Sequence, residues 1–126
     1  MEQFRQRPAG VPPIAKRVKP ELEKDAEDKL VKDVAKLGGK AIKYTSRTMR
    51  GVTDRIVMYN GWSIYVEMKR KGKTKLDPKQ VIFKNICLQY CQLHTVVSGK
   101  SGVDSFMEWL RTIPPRPEMG LKEIYT

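Results

Sequence analysis

Soft metal ligands are nearly missing from this chain, which has one histidine, His94, and two cysteines, Cys87 and Cys91. Structural zinc sites take four such ligands, so that class is excluded. The cysteines lie four apart in a stretch of helical character, which predicts two buried thiols acting as small hydrophobes. Long apolar runs are absent too. Nothing approaches the roughly 20 residues that span a bilayer, and Met1-Glu2-Gln3-Phe4-Arg5 does not open a signal peptide. No membrane contact and a cytoplasmic location are expected. Acid is in short supply, with 14 Asp and Glu against 25 Lys and Arg and a net charge of +11 over 126 residues. That imbalance favours a polyanion as partner, most commonly nucleic acid. The length suits one domain with a real core.

The few acids are placed tellingly. Residues 53–69 read as two β-branched and aromatic runs joined by Asn60-Gly61, a strong hairpin signal. With those two residues as a type I′ loop, Tyr59 pairs with Trp62 and Asp54 falls opposite Glu67. Side chains alternate, so Asp54, Ile56 and Met58 share a face with Ser63, Tyr65, Glu67 and Lys69. Arg55, Val57, Tyr59, Trp62, Ile64, Val66 and Met68 take the other, mostly apolar face. Opposed like charges destabilise a sheet; a bound divalent cation would reconcile them. A three-residue loop would slip the register and part the two acids.

Around the hairpin, residues 1–19 form a Pro-rich basic arm without periodicity. Pro20 suits a helix start, and a helix to Leu37 gathers Leu22, Ala26, Leu30, Val31, Val34 and Leu37 on one half. Glu23 falls near the centre of that half and Glu27 at its edge. An acid in the first turn suits the helix dipole, but an inward carboxylate needs a partner. Gly38-Gly39 ends the helix; a strand over Lys40–Thr45 and a basic loop to Gly51 precede the hairpin. Arg70-Lys71-Gly72-Lys73-Thr74-Lys75 follows it, a solvated loop or a phosphate contact. Asp77-Pro78-Lys79-Gln80 starts a helix with a capping box. It is expected to run to about Leu93 and bury Ile82, Phe83, Ile86, Cys87 and Tyr90. A short strand from His94 to Ser98 and an amphipathic helix from Gly102 to about Ile113, with Val103, Phe106, Met107, Trp109 and Leu110, complete the pattern. Pro114-Pro115 stops that helix, leaving a tail over 114–126. The order, helix, three strands, helix, strand, helix, predicts a single α/β domain over 20–113 with a mixed sheet flanked by helices.

Opposed Asp54 and Glu67, Lys69 on their face and Glu23 nearby describe an acidic pocket with one cation. Hard oxygen ligands select Mg²⁺ or Mn²⁺, and phosphodiester hydrolysis fits a metal site with a basic rim. The plain alternative is a surface cluster held by ion pairs. Glu23, Gly38-Gly39, Gly51-Val52-Thr53-Asp54-Arg55, Val66-Glu67-Met68-Lys69 and Leu76-Asp77-Pro78-Lys79-Gln80 together resemble, in order and spacing, the VRR-NUC domain of the PD-(D/E)xK nuclease superfamily. Thr53 departs from it, since the family usually has proline there.

The resemblance implies a restriction-endonuclease-like αβββαβ core. It implies that Asp54, Glu67 and the Met68 carbonyl bind metal, that Glu23 joins directly or through water, and that Lys69 assists the nucleophile. Gln80 would point into the site, in competition with its capping role. Small stand-alone relatives resemble phage or bacterial Holliday junction resolvases, which implies a homodimer acting on branched DNA, within the host cytoplasm if a phage encodes it. Lys40, Lys43, Arg47, Arg50, Arg55, Lys71, Lys73 and Lys75 are candidates for backbone contacts with DNA. A flap or nicking nuclease, or a non-catalytic basic nucleic-acid-binding module, are the alternatives.

Overall fold

The hairpin sets the sheet. In the computed structural model, which describes residues 21–118, Asn60 and Gly61 both have positive φ (56° and 85°), as a type I′ loop requires. The strands on either side, β2 (Arg55–Tyr59) and β3 (Trp62–Lys69), pair Tyr59 with Trp62 and Arg55 with Val66. Extending that register by one residue sets Asp54 against Glu67, as the two-residue loop predicts. A preceding strand, β1 (Lys40–Lys43), adds antiparallel to β2, and β4 (Leu93–Ser98) adds parallel to β3. The sheet order is β1-β2-β3-β4. A parallel neighbour needs a long crossover, which the helix α2 (Pro78–Gln89) supplies.

The alternation sorts the faces. Val57, Ile64, Val66 and Met68 are buried on one face of the sheet. Two helices, α1 (Glu23–Leu37) and α3 (Gly99–Leu110), cover them with Ala26, Leu30, Val34, Val103, Met107 and Leu110. The opposite face carries α2, whose Phe83 meets Tyr65 edge-on at 5.5 Å and His94 at 6.1 Å. His94 is half-buried there, and its imidazole is pushed below the ordinary histidine range by burial and then by Lys84.

Several boundaries differ from the sequence reading. The first helix begins at Glu23, with Asp25 Oδ2 accepting the Leu22 N–H at 3.0 Å; Leu22 itself is exposed. Pro20 and the 1–19 arm lie outside the described residues, as do positions 119–126 of the tail. The crossover helix stops at Gln89 rather than Leu93 because Cys91 takes a left-handed φ of 56°. That turn puts Cys91 in solvent, so only Cys87 is a buried thiol. Ile82 and Tyr90 are exposed, Phe83 and Ile86 are half-covered, and Cys87 alone is fully buried, since α2 lies over only part of the sheet. The last helix starts at Gly99, directly off β4, and ends at Leu110, with Trp109 partly exposed.

The start of the tail is anchored. Trp62 Nε1 donates to the Pro114 carbonyl at 2.7 Å, and Arg116 N–H donates to the Asn60 carbonyl at 2.9 Å. The Arg116 guanidinium lies 5.6 Å from the Trp62 ring centroid, within cation–π range. Among the described residues, no helix is long and apolar enough to cross a membrane.

Candidate active site

Strand direction gathers the site at one end of the sheet. The last residue of β3, Lys69, lies beside Ser98 at the end of β4, and β2 starts at that same end. Asp54 therefore enters from the loop before β2, and Glu67 and Lys69 from the end of β3. Glu67 is an ionisable group in the interior, 3% exposed. Burial, and then the repulsion of Asp54, push its carboxyl up to about 8. Asp54 is half-buried, and its carboxyl is raised chiefly by burial. The Met68 N–H, which donates to Asp54, opposes that rise, while Glu27 adds to it.

Gln80 joins the parts. Its Nε2 donates to Glu67 Oε1 at 2.5 Å, and its Oε1 accepts from Lys69 Nζ at 2.8 Å. The same Oε1 accepts the Asp77 N–H at 3.0 Å, while Asp77 Oδ1 accepts the Gln80 N–H at 2.9 Å. Capping and site contact compete for this side chain in the sequence. The structure has both at once, because the amide offers an acceptor with two lone pairs and separate donors.

Glu23 is placed differently from its wheel position. It is exposed, not inward: the covered stripe of α1 begins at Ala26, and Glu23 stands before it at the start of the helix. Its carboxyl is nevertheless raised, through partial loss of water and then the charge of Asp54. Glu27 is the acid that turns in: Arg55 Nε donates to Glu27 Oε1 at 2.7 Å, with both side chains largely covered. Sequence reasoning missed that pair, although an acid at the edge of an apolar helix half and an arginine on an apolar sheet face were both visible. Thr53, at the position of the family's proline, is wholly buried, and its Oγ1 has no hydrogen-bond partner.

Asp54 and Glu67 fit a hard cation by donor chemistry. A buried carboxyl whose affinity for a proton is raised further by a neighbouring carboxylate is relieved by a positive charge placed between them. Among the described residues no three Asp, Glu, His or Cys side chains form a cluster that could hold an ion alone. A pair plus the Met68 carbonyl suits Mg²⁺, which keeps several waters and takes oxygens from its substrate.

A protein of Acyrthosiphon pisum secondary endosymbiont phage 1, p44, whose name proposes a nuclease, is 46% identical to this chain over 60 residues. The match covers 47% of this chain and 63% of that protein, so the chain spans less than two thirds of its relative's length. No protein-family model matches the chain. A solved VRR_NUC domain has the same fold, with a TM-score of 0.64 and 25% identity over 68% of this chain and 94% of that one. The chain shares the fold of that VRR_NUC domain.

The domain distributes its basic residues unevenly around the site. Lys43 pairs with Arg55 at the site end of the sheet and lowers the proton affinity of Asp54. Arg47, Arg50, Lys71, Lys73 and Lys75 are exposed on the two flanking loops. Lys40 pairs with Met58 at the other end of β1, about 10 Å away at the strand rise. Arg55 is committed to Glu27 and so faces the interior of the domain rather than a bound strand.

Proposed function

We propose that this domain is a Mg²⁺- or Mn²⁺-dependent, structure-selective DNA endonuclease that works as a homodimer on branched DNA, in the manner of a Holliday junction resolvase. The observation that carries the reading is Gln80 tying Glu67 to Lys69 beside Asp54. Asp54, Glu67 and the Met68 carbonyl would hold the cation, with Glu23 at the mouth joining through water. The metal supplies Lewis-acid charge and lowers the pKa of a coordinated water. Lys69, held by Gln80 Oε1, keeps its ammonium at the rim of the acids, where it can orient an attacking water or stabilise charge developing on the phosphate. Burial of Glu67 excludes bulk water from one side of the reacting centre. Exposed cations on the loops before β2 and after β3 would grip phosphates on both flanks without reading bases. Two such sites related by a twofold axis would match the symmetry of a four-way junction.

A cleavage panel tests this. Four-way junction, flap and linear duplex are each incubated with Mg²⁺ or Mn²⁺ and with wild type, Asp54→Ala or Lys69→Ala. Symmetric paired nicks on the junction by wild type alone support the resolvase. Flap cutting alone makes it a flap nuclease, and metal-independent binding without cleavage makes it a non-catalytic module. A mass measurement in solution decides the homodimer.

A further inference from the structure

We infer that Gly51 is a positioning residue: its missing side chain lets the loop that carries Asp54 lock, backbone to backbone, onto the first turn of α2, and this fixes Gln80 between Glu67 and Lys69. Gly51 has a φ of 83°, and a Cβ built on it would stand 2.5 Å from the Lys79 carbonyl carbon and 2.9 Å from the Gln80 nitrogen. The Lys79 carbonyl oxygen is nearer still. These are main-chain atoms of a helix, so no rotamer change relieves the overlap. Gly38 and Gly72 also have positive φ (97° and 81°), yet a Cβ on either meets nothing within 4 Å. A turn alone explains those two, but it does not explain the close approach at Gly51.

What Gly51 touches decides its role. The Gln80 nitrogen is the donor to Asp77 Oδ1 that closes the cap of α2. The Gln80 side chain makes the 2.5 Å and 2.8 Å bonds to Glu67 and Lys69. On the loop side, Asp54 is three residues on, and its carbonyl accepts the Tyr44 N–H at 3.0 Å, pinning the base of the loop to the end of β1. Between them Thr53 is wholly buried, which leaves the loop little room to give way. A methyl at position 51 must therefore either lift the first turn of α2, carrying Gln80 off its partners, or push the loop and Asp54 aside. Glycine there makes the Asp54 loop and the Gln80 turn one unit.

The inference rests on the nuclease reading for its kinetic arm only. Gly51→Ala, Gly38→Ala, Gln80→Ala and the Gly51→Ala/Gln80→Ala double variant are compared by junction cleavage. The side-chain amide resonances of Gln80 are followed by NMR without metal or DNA. Gly38→Ala carries a similar backbone strain with no overlap and lies outside both basic loops, so it should cleave like wild type. Gly51→Ala should lose kcat by about 10- to 100-fold with little change in KM, and the double variant should be no slower than the slower single variant. In Gly51→Ala the Gln80 side-chain amide signals should move to solvent-exposed positions. An additive double variant, wild-type kcat, or an unmoved Gln80 amide in folded Gly51→Ala would overturn the assignment. If wild type cuts nothing, the nuclease reading fails while the amide arm still decides this one. Should Gly51→Ala not fold, hydrogen exchange on wild type decides: the Tyr44 and Gln80 amides should open with the same free energy, and separate openings reject the lock.

Discussion

Replacing Glu67 with glutamine should move stability and activity in opposite directions. The folded domain holds the Glu67 carboxyl in a 3% exposed position beside Asp54 and raises it from 4.5 to about 8. A carboxyl with a raised folded-state pKa binds its proton more tightly in the native state than in the unfolded chain. Its contribution to stability is therefore full below pH 4.5 and is lost as pH climbs towards about 8. At about 1.4 kcal/mol per pH unit that interval caps the loss at roughly 5 kcal/mol. Between pH 5 and pH 8 we expect on the order of 3 kcal/mol, because ionisation is incomplete and Asp54 shares the strain. Glutamine keeps an oxygen for Gln80 Nε2 but has no proton to lose. Without metal, the melting temperatures of wild type and Glu67→Gln should nearly coincide at pH 5. At pH 8 the variant should melt roughly 10 °C higher. Adding Mn²⁺ at pH 8 should raise wild type and leave Glu67→Gln unmoved, while cleavage by the variant disappears. Thermal scans over pH with and without metal measure all of this. A pH-independent difference, or an equal rise of both proteins with Mn²⁺, would refute a strained carboxylate waiting for a cation.

Other perturbations follow from single contacts. Thr53→Val replaces a buried hydroxyl that has no partner with a methyl of the same shape, and should stabilise the fold by about 1 kcal/mol in urea titration; a loss would mean the hydroxyl has a partner. Arg55→Gln strands Glu27 and should cost about 3 kcal/mol, while the salt dependence of DNA binding stays as in wild type. Lys73→Ala removes an exposed cation, so it should leave the melting temperature alone and lower the salt slope of DNA binding by about 1. Leu30→Ala empties a fully buried site under the sheet and should cost roughly 2–5 kcal/mol by chemical denaturation.

What the sequence made legible is what strict local rules govern. Asn60-Gly61 can close a two-residue loop only with positive φ at both positions, and that loop fixes the parity of the whole hairpin. The burial of Val57, Ile64, Val66 and Met68 on one face, and the meeting of Asp54 with Glu67, followed from parity alone. Asp77 and Gln80 announced the start of α2 through the chemistry of their side chains. The misplacements concern what lies across the chain. Glu23 falls on the apolar half of a helical wheel, but a wheel cannot tell where along α1 the packing begins, and the covered stripe starts only at Ala26. Ile82 and Tyr90 look like core because apolar residues are scattered around α2, so periodicity alone does not single out its covered side, and only the partial overlap of helix and sheet leaves them exposed. Cys91 reads as one more helical residue until its left-handed φ ends the helix. The Glu27–Arg55 pair joins residues 28 apart, beyond any local pattern.

The central claim, that Asp54, Glu67, Lys69 and Gln80 form one hydrolytic site, meets its most direct test in single-turnover cleavage of an end-labelled four-way junction. Wild type and folded Lys69→Ala are compared with Mg²⁺ and with Mn²⁺ at matched DNA occupancy. Nicking by wild type, and loss of at least about 100-fold in the variant with binding retained, is the predicted result. Equal cleavage by the two proteins, or cleavage that persists after chelation of the metal, would contradict it.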